Sequence, residues 1–173
     1  AAAATSLFTR LRHGWATFFR DPIAPVMIAY ALLWLSVLSP HGVLLTAFLK
    51  DGWNTPEWII GVFRGLGAVF GLAATILFPL LLKRLSVERA SLVFLSFQTL
   101  TLLIGLILFM ASGSIGQIGF LICILLSRIG LYGFSLGEMQ IRQIEIASQS
   151  RGQVNGFASA LTALATIGLY GAG

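Results

Sequence analysis

The chain has 173 residues, of which 57% are hydrophobic and only 10% are charged, and its mean hydropathy is +0.92. This balance excludes an ordinary soluble domain and predicts an all-α transmembrane helix bundle. The formal charge of +5 comes from basic residues spread over short loops, which argues against a nucleic-acid partner and for orientation in a lipid bilayer.

Residues 1–21 form a basic amphipathic segment ahead of the first long apolar run. A helix lying on the membrane surface would use its apolar residues, which are Leu7, Phe8, Leu11, Trp15 and Phe18. The alternative is a linker helix packed on its own protein. In either case, we predict a boundary between this segment and a transmembrane lobe over residues 22–173.

Five segments of this lobe are long enough to span a bilayer, which takes roughly 20 residues per helix. They are predicted at 22–49, 57–82, 90–111, 115–141 and 152–173. Arginines and lysines concentrate before the first span, between the second and third, and between the fourth and fifth, so those loops should share the cytoplasmic side. The odd number of spans and the short last run suggest a piece of a larger protein.

The first span is interrupted by Ser39, Pro40, His41 and Gly42. Proline removes an amide donor, and a break of this kind frees backbone carbonyls at membrane depth. Transporters place substrate sites at such breaks, and a neutral imidazole is a common ligand of transition metals. The alternative is a proline kink in which His41 is hydrogen-bonded to a neighbour. No second metal-binding side chain stands at ligand spacing, so His41 alone cannot complete a site.

Four pairs of glycines recur at a spacing of four residues, which lets transmembrane helices approach each other closely. We predict helix packing at these positions, either in a static bundle or on surfaces that slide during transport. The pairs are Gly61 and Gly65, Gly67 and Gly71, Gly133 and Gly137, and Gly152 and Gly156.

Three charged residues, Arg64, Arg128 and Glu138, fall within the apolar spans, where each costs about 2.5–3.5 kcal/mol. They should therefore face protein or water. Arg128 and Glu138 are ten residues apart, about 15 Å along a helix, and cannot pair with each other. Arg128 is predicted to belong either to a structural ion pair or to a gate or substrate site, and Glu138 either to a structural ion pair or to a gate. The single cysteine, Cys123, excludes an intrachain disulfide and should behave as a small apolar residue.

Several stretches resemble the second half of the ferroportin family of iron exporters, within the major facilitator superfamily, and plant-type members are the most similar. These stretches are AYALLWLSVLS, GLGAVFGLAATILFP, SRIGLYGFSLGEMQ and SRGQVNG, in this order. The resemblance covers about residues 14–168. It implies that the spans are helices seven to eleven of a twelve-helix protein. The break at 39–42 would then line the central cavity.

The resemblance also assigns roles to single residues. His41 and Gly42 stand where vertebrate members have an aspartate and a cysteine that serve metal binding and inhibition by hepcidin. Because the thiolate is missing, hepcidin is not expected as a partner. Leu169 and Ser135 replace a family histidine and a family aspartate. Arg151 matches an arginine of the cytoplasmic gate, although it also suits a simple positive-inside anchor.

We therefore predict a carrier, not an enzyme, which uses no cofactor. The favoured substrate for export is Fe2+, and the alternatives are Co2+, Ni2+ and Zn2+. Its expected partners are the lipid bilayer and a missing amino-terminal lobe or other membrane subunits. The membrane is either the plasma membrane or an organelle envelope. Two alternatives stay open: a carrier of a different solute, and a degenerate lobe that serves as a structural subunit of a larger complex.

Overall fold

The computed structural model describes residues 15–16, 18–20, 24–34, 42–111, 113–146, 152, 155–156, 159–160, 163–164 and 166–168. Within these ranges the chain is helical apart from short connections, and no strand occurs. The helices are α1 (Ala24–Trp34), α2 (Val43–Ala47), α3 (Glu57–Leu82), α4 (Val87–Met110) and α5 (Ser114–Glu145). Helices α3 to α5 are long and apolar enough to cross a membrane. The predicted all-α transmembrane fold is confirmed.

The first predicted span is described in two parts rather than as one helix over 22–49. Helix α1 ends at Trp34, and α2 begins at Val43 after Gly42, whose extended backbone (φ −71°, ψ 138°) is not helical. The segment then continues beyond residue 49, because a π-helical turn follows at Phe48–Gly52. Residues 35–41 lie outside the described part of the chain.

Two other helices are longer than their apolar runs. Helix α4 begins at Val87 rather than at 90, since the hydroxyl of Ser86 caps it by accepting a hydrogen bond from the Arg89 amide at 3.4 Å. Helix α5 covers Ser114–Glu145 rather than 115–141, and its last turn carries Arg142. Hydropathy marks only the part of a helix that lies in lipid, whereas the backbone hydrogen bonds continue into the polar turns.

The chain divides into two compact units, one of residues 36–139 and one of residues 1–35 with 140–173. In the first unit, α5 is the most enclosed helix, whereas α3 and α4 each bury one face and expose apolar side chains on the other. A core cluster joins Leu45 and Leu49 to Ile60 and Phe63 of α3, and to α5 through Phe120, Ile124 and Leu125.

In the other unit, Phe18 lies buried in a cluster with Ala24, Met27 and Ile146. Trp15 is half-buried against the same cluster. These contacts match the linker interpretation of the amphipathic segment at Trp15 and Phe18, whereas Leu7, Phe8 and Leu11 lie outside the described residues. Arg142 donates a hydrogen bond to Asn155 at 3.3 Å.

Candidate functional site

The described part of the helix break is Gly42, which caps α2. Its carbonyl oxygen accepts two hydrogen bonds from Thr46, one from the amide at 3.2 Å and one from the hydroxyl at 2.9 Å. Because both lone pairs of this oxygen are engaged, the Gly42 carbonyl is not a freed ligand for a cation, whereas the carbonyls of residues 35–41 lie outside the described part of the chain. Ser39, Pro40 and His41 lie outside the described residues, so the metal role of His41 stays a prediction.

Arg128 is buried on α5, with 3% of its surface exposed. One guanidinium nitrogen, Nη2, donates to the Ser127 hydroxyl at 3.4 Å, and Nε has no hydrogen-bond partner among the described residues. The Ser127 hydroxyl itself donates to the Ile124 carbonyl at 2.7 Å. Among the described residues Arg128 forms no ion pair. A desolvated cation of this kind is costly until an anion approaches it.

Glu138 lies ten residues further along the same helix and is also buried, at 1% exposure. The continuous helix keeps it about 15 Å from Arg128 along the axis, which excludes a direct pair between the two. Arg64 differs from both, because its side chain is exposed on α3. Ser135 is half-buried on α5, while Arg151 and Leu169 lie outside the described residues.

Two of the predicted glycine pairs lie where helices meet. Gly67 and Gly71 are buried on α3, and a Cβ atom at Gly71 would lie 2.9 Å from the ring of Tyr132 on α5. On α5 itself, a Cβ atom would strike Phe94 at Gly133 and Ser91 at Gly137, and both of those residues belong to α4. The absence of side chains at these positions allows α4 and α5 to pack closely.

The other two pairs make no such contact in the described part of the chain. Gly61 and Gly65 are exposed on α3, and a Cβ atom at either would meet nothing within 4 Å. The same is true of Gly152 and Gly156. Spacing alone therefore does not show which pairs face a neighbouring helix of this chain.

Two further residues of the α4–α5 contact, Gly130 and Gln98, were not among the residues predicted from the sequence. A Cβ atom at Gly130 would lie 2.6 Å from Cβ of Gln98 and 2.7 Å from the backbone oxygen of Phe94. Gln98 is buried at 1% exposure, and in the described part of the chain neither its Oε1 nor its Nε2 atom has a hydrogen-bond partner. The available signal was the run of glycines at 130, 133 and 137, which share one helix face.

The described residues hold no group of three His, Cys, Asp or Glu side chains that could bind a metal ion. A cavity of about 330 Å³ exists between α2, α4 and α5, but it is lined only by leucine and phenylalanine, and so offers no ligand. Its lining residues are Leu44, Leu45, Phe48, Leu102, Leu106, Phe109 and Phe120.

The loop after the π-helical turn is held by an ion pair. Nζ of Lys50 lies 2.8 Å from Oε1 of Glu57, and both side chains are exposed. The hydrogen bond to Glu57 and its negative charge raise the pKa of Lys50 above its ordinary value. This pair joins the ends of the connection between α2 and α3 at the side opposite to the predicted cytoplasmic loops.

Comparison with known proteins shows a match to a protein family and to solved structures. Residues 2–173 match the family profile described as Ferroportin1 (FPN1). Ferreportin of Bdellovibrio bacteriovorus is 52% identical over 155 residues, covering 90% of this chain and 35% of that protein. Solute carrier family 40 member 1 of Arabidopsis thaliana is 33% identical over 150 residues, covering 85% of this chain and 28% of the plant protein. The expectation that plant-type members are the most similar is wrong, since the bacterial identity is higher.

Solved structures agree with this match. A bacterial homologue of iron transporter ferroportin in an outward-facing state superimposes with a TM-score of 0.86 at 52% identity, covering 90% of this chain and 38% of that one. A structure of such a homologue with soaked iron gives a TM-score of 0.85 at 53% identity, covering 91% of this chain and 39% of the homologue. The chain thus spans about a third of the length of the relatives it matches.

Proposed function

Because the chain belongs to the ferroportin family, whose members are transporters and not enzymes, we propose that it is the carboxyl-terminal lobe of a carrier that exports Fe2+ or another divalent transition metal. The observation that carries the proposal is the likeness, at 52% identity, to a bacterial homologue of iron transporter ferroportin. Such homologues have been solved in outward-facing and inward-facing states. Two states of this kind are what alternating access between two lobes requires.

Two features of the structure support a missing partner lobe. Gly61 and Gly65 form an exposed small-residue strip on α3, which allows close approach of a helix from outside the described chain. Arg128 is a buried cation without an ion pair among the described residues. A second lobe supplies both a surface for the strip and a carboxylate for the guanidinium. Arg128 is then an element of a gate or of an ion pair between the lobes, and for Glu138 a structural ion pair and a gate both stay open.

Within this lobe, His41 is proposed as the main side chain that contacts the metal. The support is its position directly before Gly42, at the start of α2, on the interrupted first span. The Gly42 carbonyl is already satisfied, so the imidazole rather than this carbonyl would be the ligand. The described residues contain no cluster of three such side chains, so the other ligands would come from outside this part of the chain, for example from the other lobe.

We expect His41→Ala, made in the whole protein, to lower the affinity for Co2+ by about tenfold or more, because loss of even a supporting group in a metal site costs this much. Calorimetric titration measures the affinity, and Co2+ flux into vesicles measures transport. His13→Ala, which removes the chain's other histidine, is the matched control. Unchanged affinity in His41→Ala would reduce His41 to a kink residue, whereas absent flux in the wild-type protein would contradict metal export itself.

Arg151 is proposed as a gate residue, since it follows the end of α5 and matches the family's gate arginine. Loss of a charge-assisted hydrogen bond between lobes, worth about 1.5–3 kcal/mol, should shift the open population roughly tenfold or more. Arg151→Ser should therefore speed the labelling of a cysteine placed at the half-buried position Ser135. Arg20→Ser, which removes an exposed arginine before the first span, is the control. An unchanged labelling rate would leave Arg151 as a positive-inside anchor.

A carrier of a different solute is the second candidate. It is favoured by Leu169 and Ser135, which stand where the resemblance places a histidine and an aspartate. Both replacements remove metal ligands from this lobe. The same vesicle assay separates the candidates, because a carrier for another solute would show no saturable flux of Fe2+ or Co2+.

A further inference from the structure

The turn between α3 and α4 carries a groove that we call the basic groove, of about 520 Å³, lined by Leu80, Leu81, Lys83, Arg84 and Leu85. The turn is held by backbone hydrogen bonds, since the amides of Arg84 and Leu85 both donate to the Leu81 carbonyl, at 3.0 and 2.9 Å. The hydroxyl of Ser86 then caps α4. The two cations are therefore presented on a turn of defined geometry.

Within the described part of the chain, no acidic side chain forms an ion pair with these two cations. Lys83 and Arg84 are exposed, and the side chain of neither forms an ion pair or a hydrogen bond with the described residues. Over residues 83–89 there are three cations, Lys83, Arg84 and Arg89, against one acid, Glu88. The groove therefore combines a positive rim with a floor of leucine side chains.

The position along the chain identifies the environment of the groove. It lies at the ends of two helices that are long and apolar enough to cross a membrane. Such helix ends meet the boundary between hydrocarbon and lipid headgroups. At this depth the abundant anion is a phosphate diester that carries acyl chains, and basic pockets beside transmembrane helices bind the headgroups of anionic lipids.

We propose that the basic groove binds an anionic phospholipid, with the phosphate against Lys83 and Arg84 and an acyl chain along Leu80, Leu81 and Leu85. A zwitterionic lipid is bound less well, because its own cation competes with the two side chains. A soluble phosphate lacks the acyl chain that the leucines contact. The site is independent of the transported solute, since it depends only on the turn and on a surrounding bilayer.

Native mass spectrometry of the whole protein tests this site, with phosphatidylglycerol titrated against phosphatidylcholine. Lys83→Gln with Arg84→Gln should lower the preference for phosphatidylglycerol by about tenfold or more, and raised ionic strength should weaken the wild-type preference. Arg20→Gln with Lys50→Gln removes the same charge from exposed positions outside the groove and should leave the preference unchanged. Leu80→Gln should weaken binding of the lipid.

Three results would overturn the proposal. The first is a groove variant that keeps the wild-type preference, and the second is a control variant that loses as much as the groove variant. The third is displacement of the lipid by soluble glycerophosphoglycerol at equal concentration, which would show that the groove selects free phosphate esters. The lipid preference is measured without transport, so its failure is distinct from a failure of the proposed export activity.

Discussion

Replacing Gly130 by alanine is expected to destabilise the protein by about 1–3 kcal/mol, the usual cost of overpacking a close contact. The new Cβ atom would lie 2.7 Å from the Phe94 backbone oxygen and 2.9 Å from Cα of Gln98. Backbone atoms cannot rotate away as a side chain can, so α4 and α5 must separate. The midpoint of thermal unfolding of the whole protein in detergent measures this loss.

Gly168→Ala is the control, since Gly168 is helical and its Cβ atom would meet nothing within 4 Å in the described part of the chain. Alanine is favoured over glycine in a helix by up to about 1 kcal/mol, so this change should be neutral or stabilising. The two substitutions add the same methyl group to helical residues. Equal effects on the unfolding midpoint would mean that the close contact at Gly130 does not decide the stability of the α4–α5 pair.

Replacing Arg128 by methionine in the whole protein is expected to cost about 3–5 kcal/mol of stability. The guanidinium is buried, and its Nε has no partner among the described residues. We expect a carboxylate from the other lobe to pair with it, and methionine would leave that carboxylate buried and uncompensated. Arg128→Lys should cost less, because it keeps the charge but loses the planar fork.

Chemical unfolding of the detergent-solubilised protein measures this stability, and vesicle flux separates the two roles considered for Arg128. If Arg128 belongs to a structural ion pair, Arg128→Met should lower stability and flux together. If Arg128 is a gate residue, the same change should lower flux at nearly constant stability. A methionine variant that is more stable than the wild type would show that no anion approaches Arg128 in the complete protein, because removal of an unpaired buried charge is favourable.

Much of the fold was predictable from local chemistry. The bounds 57–82 of the second span agree with α3, since its apolar residues and its polar neighbours coincide with the ends of the helix. The start of α4 was placed three residues late, because hydropathy ignores the capping hydroxyl of Ser86. The end of α5 was placed four residues early for a related reason, as its last turn is polar.

The candidate site was less predictable. The sequence indicated that Arg128 and Glu138 must avoid lipid, and both are buried, but the same argument applied to Arg64, which is exposed. The sequence also indicated that the chain breaks before Gly42. It did not show that Thr46 occupies both lone pairs of the Gly42 carbonyl, because that bond depends on where the next helix begins.

By itself, the sequence determined the membrane class, the helical fold and the family, because apolar length, charged loops and motifs such as SRIGLYG are properties of the chain read residue by residue. Only the tertiary structure decided which glycines matter. Gly130, Gly133 and Gly137 face α4 at distances that exclude a side chain, whereas a Cβ atom at Gly61 or Gly65, which have the same spacing as Gly133 and Gly137, would meet none of the described residues within 4 Å. Spacing places residues on one face of a helix, but whether another helix lies against that face is decided by the packing of the whole bundle.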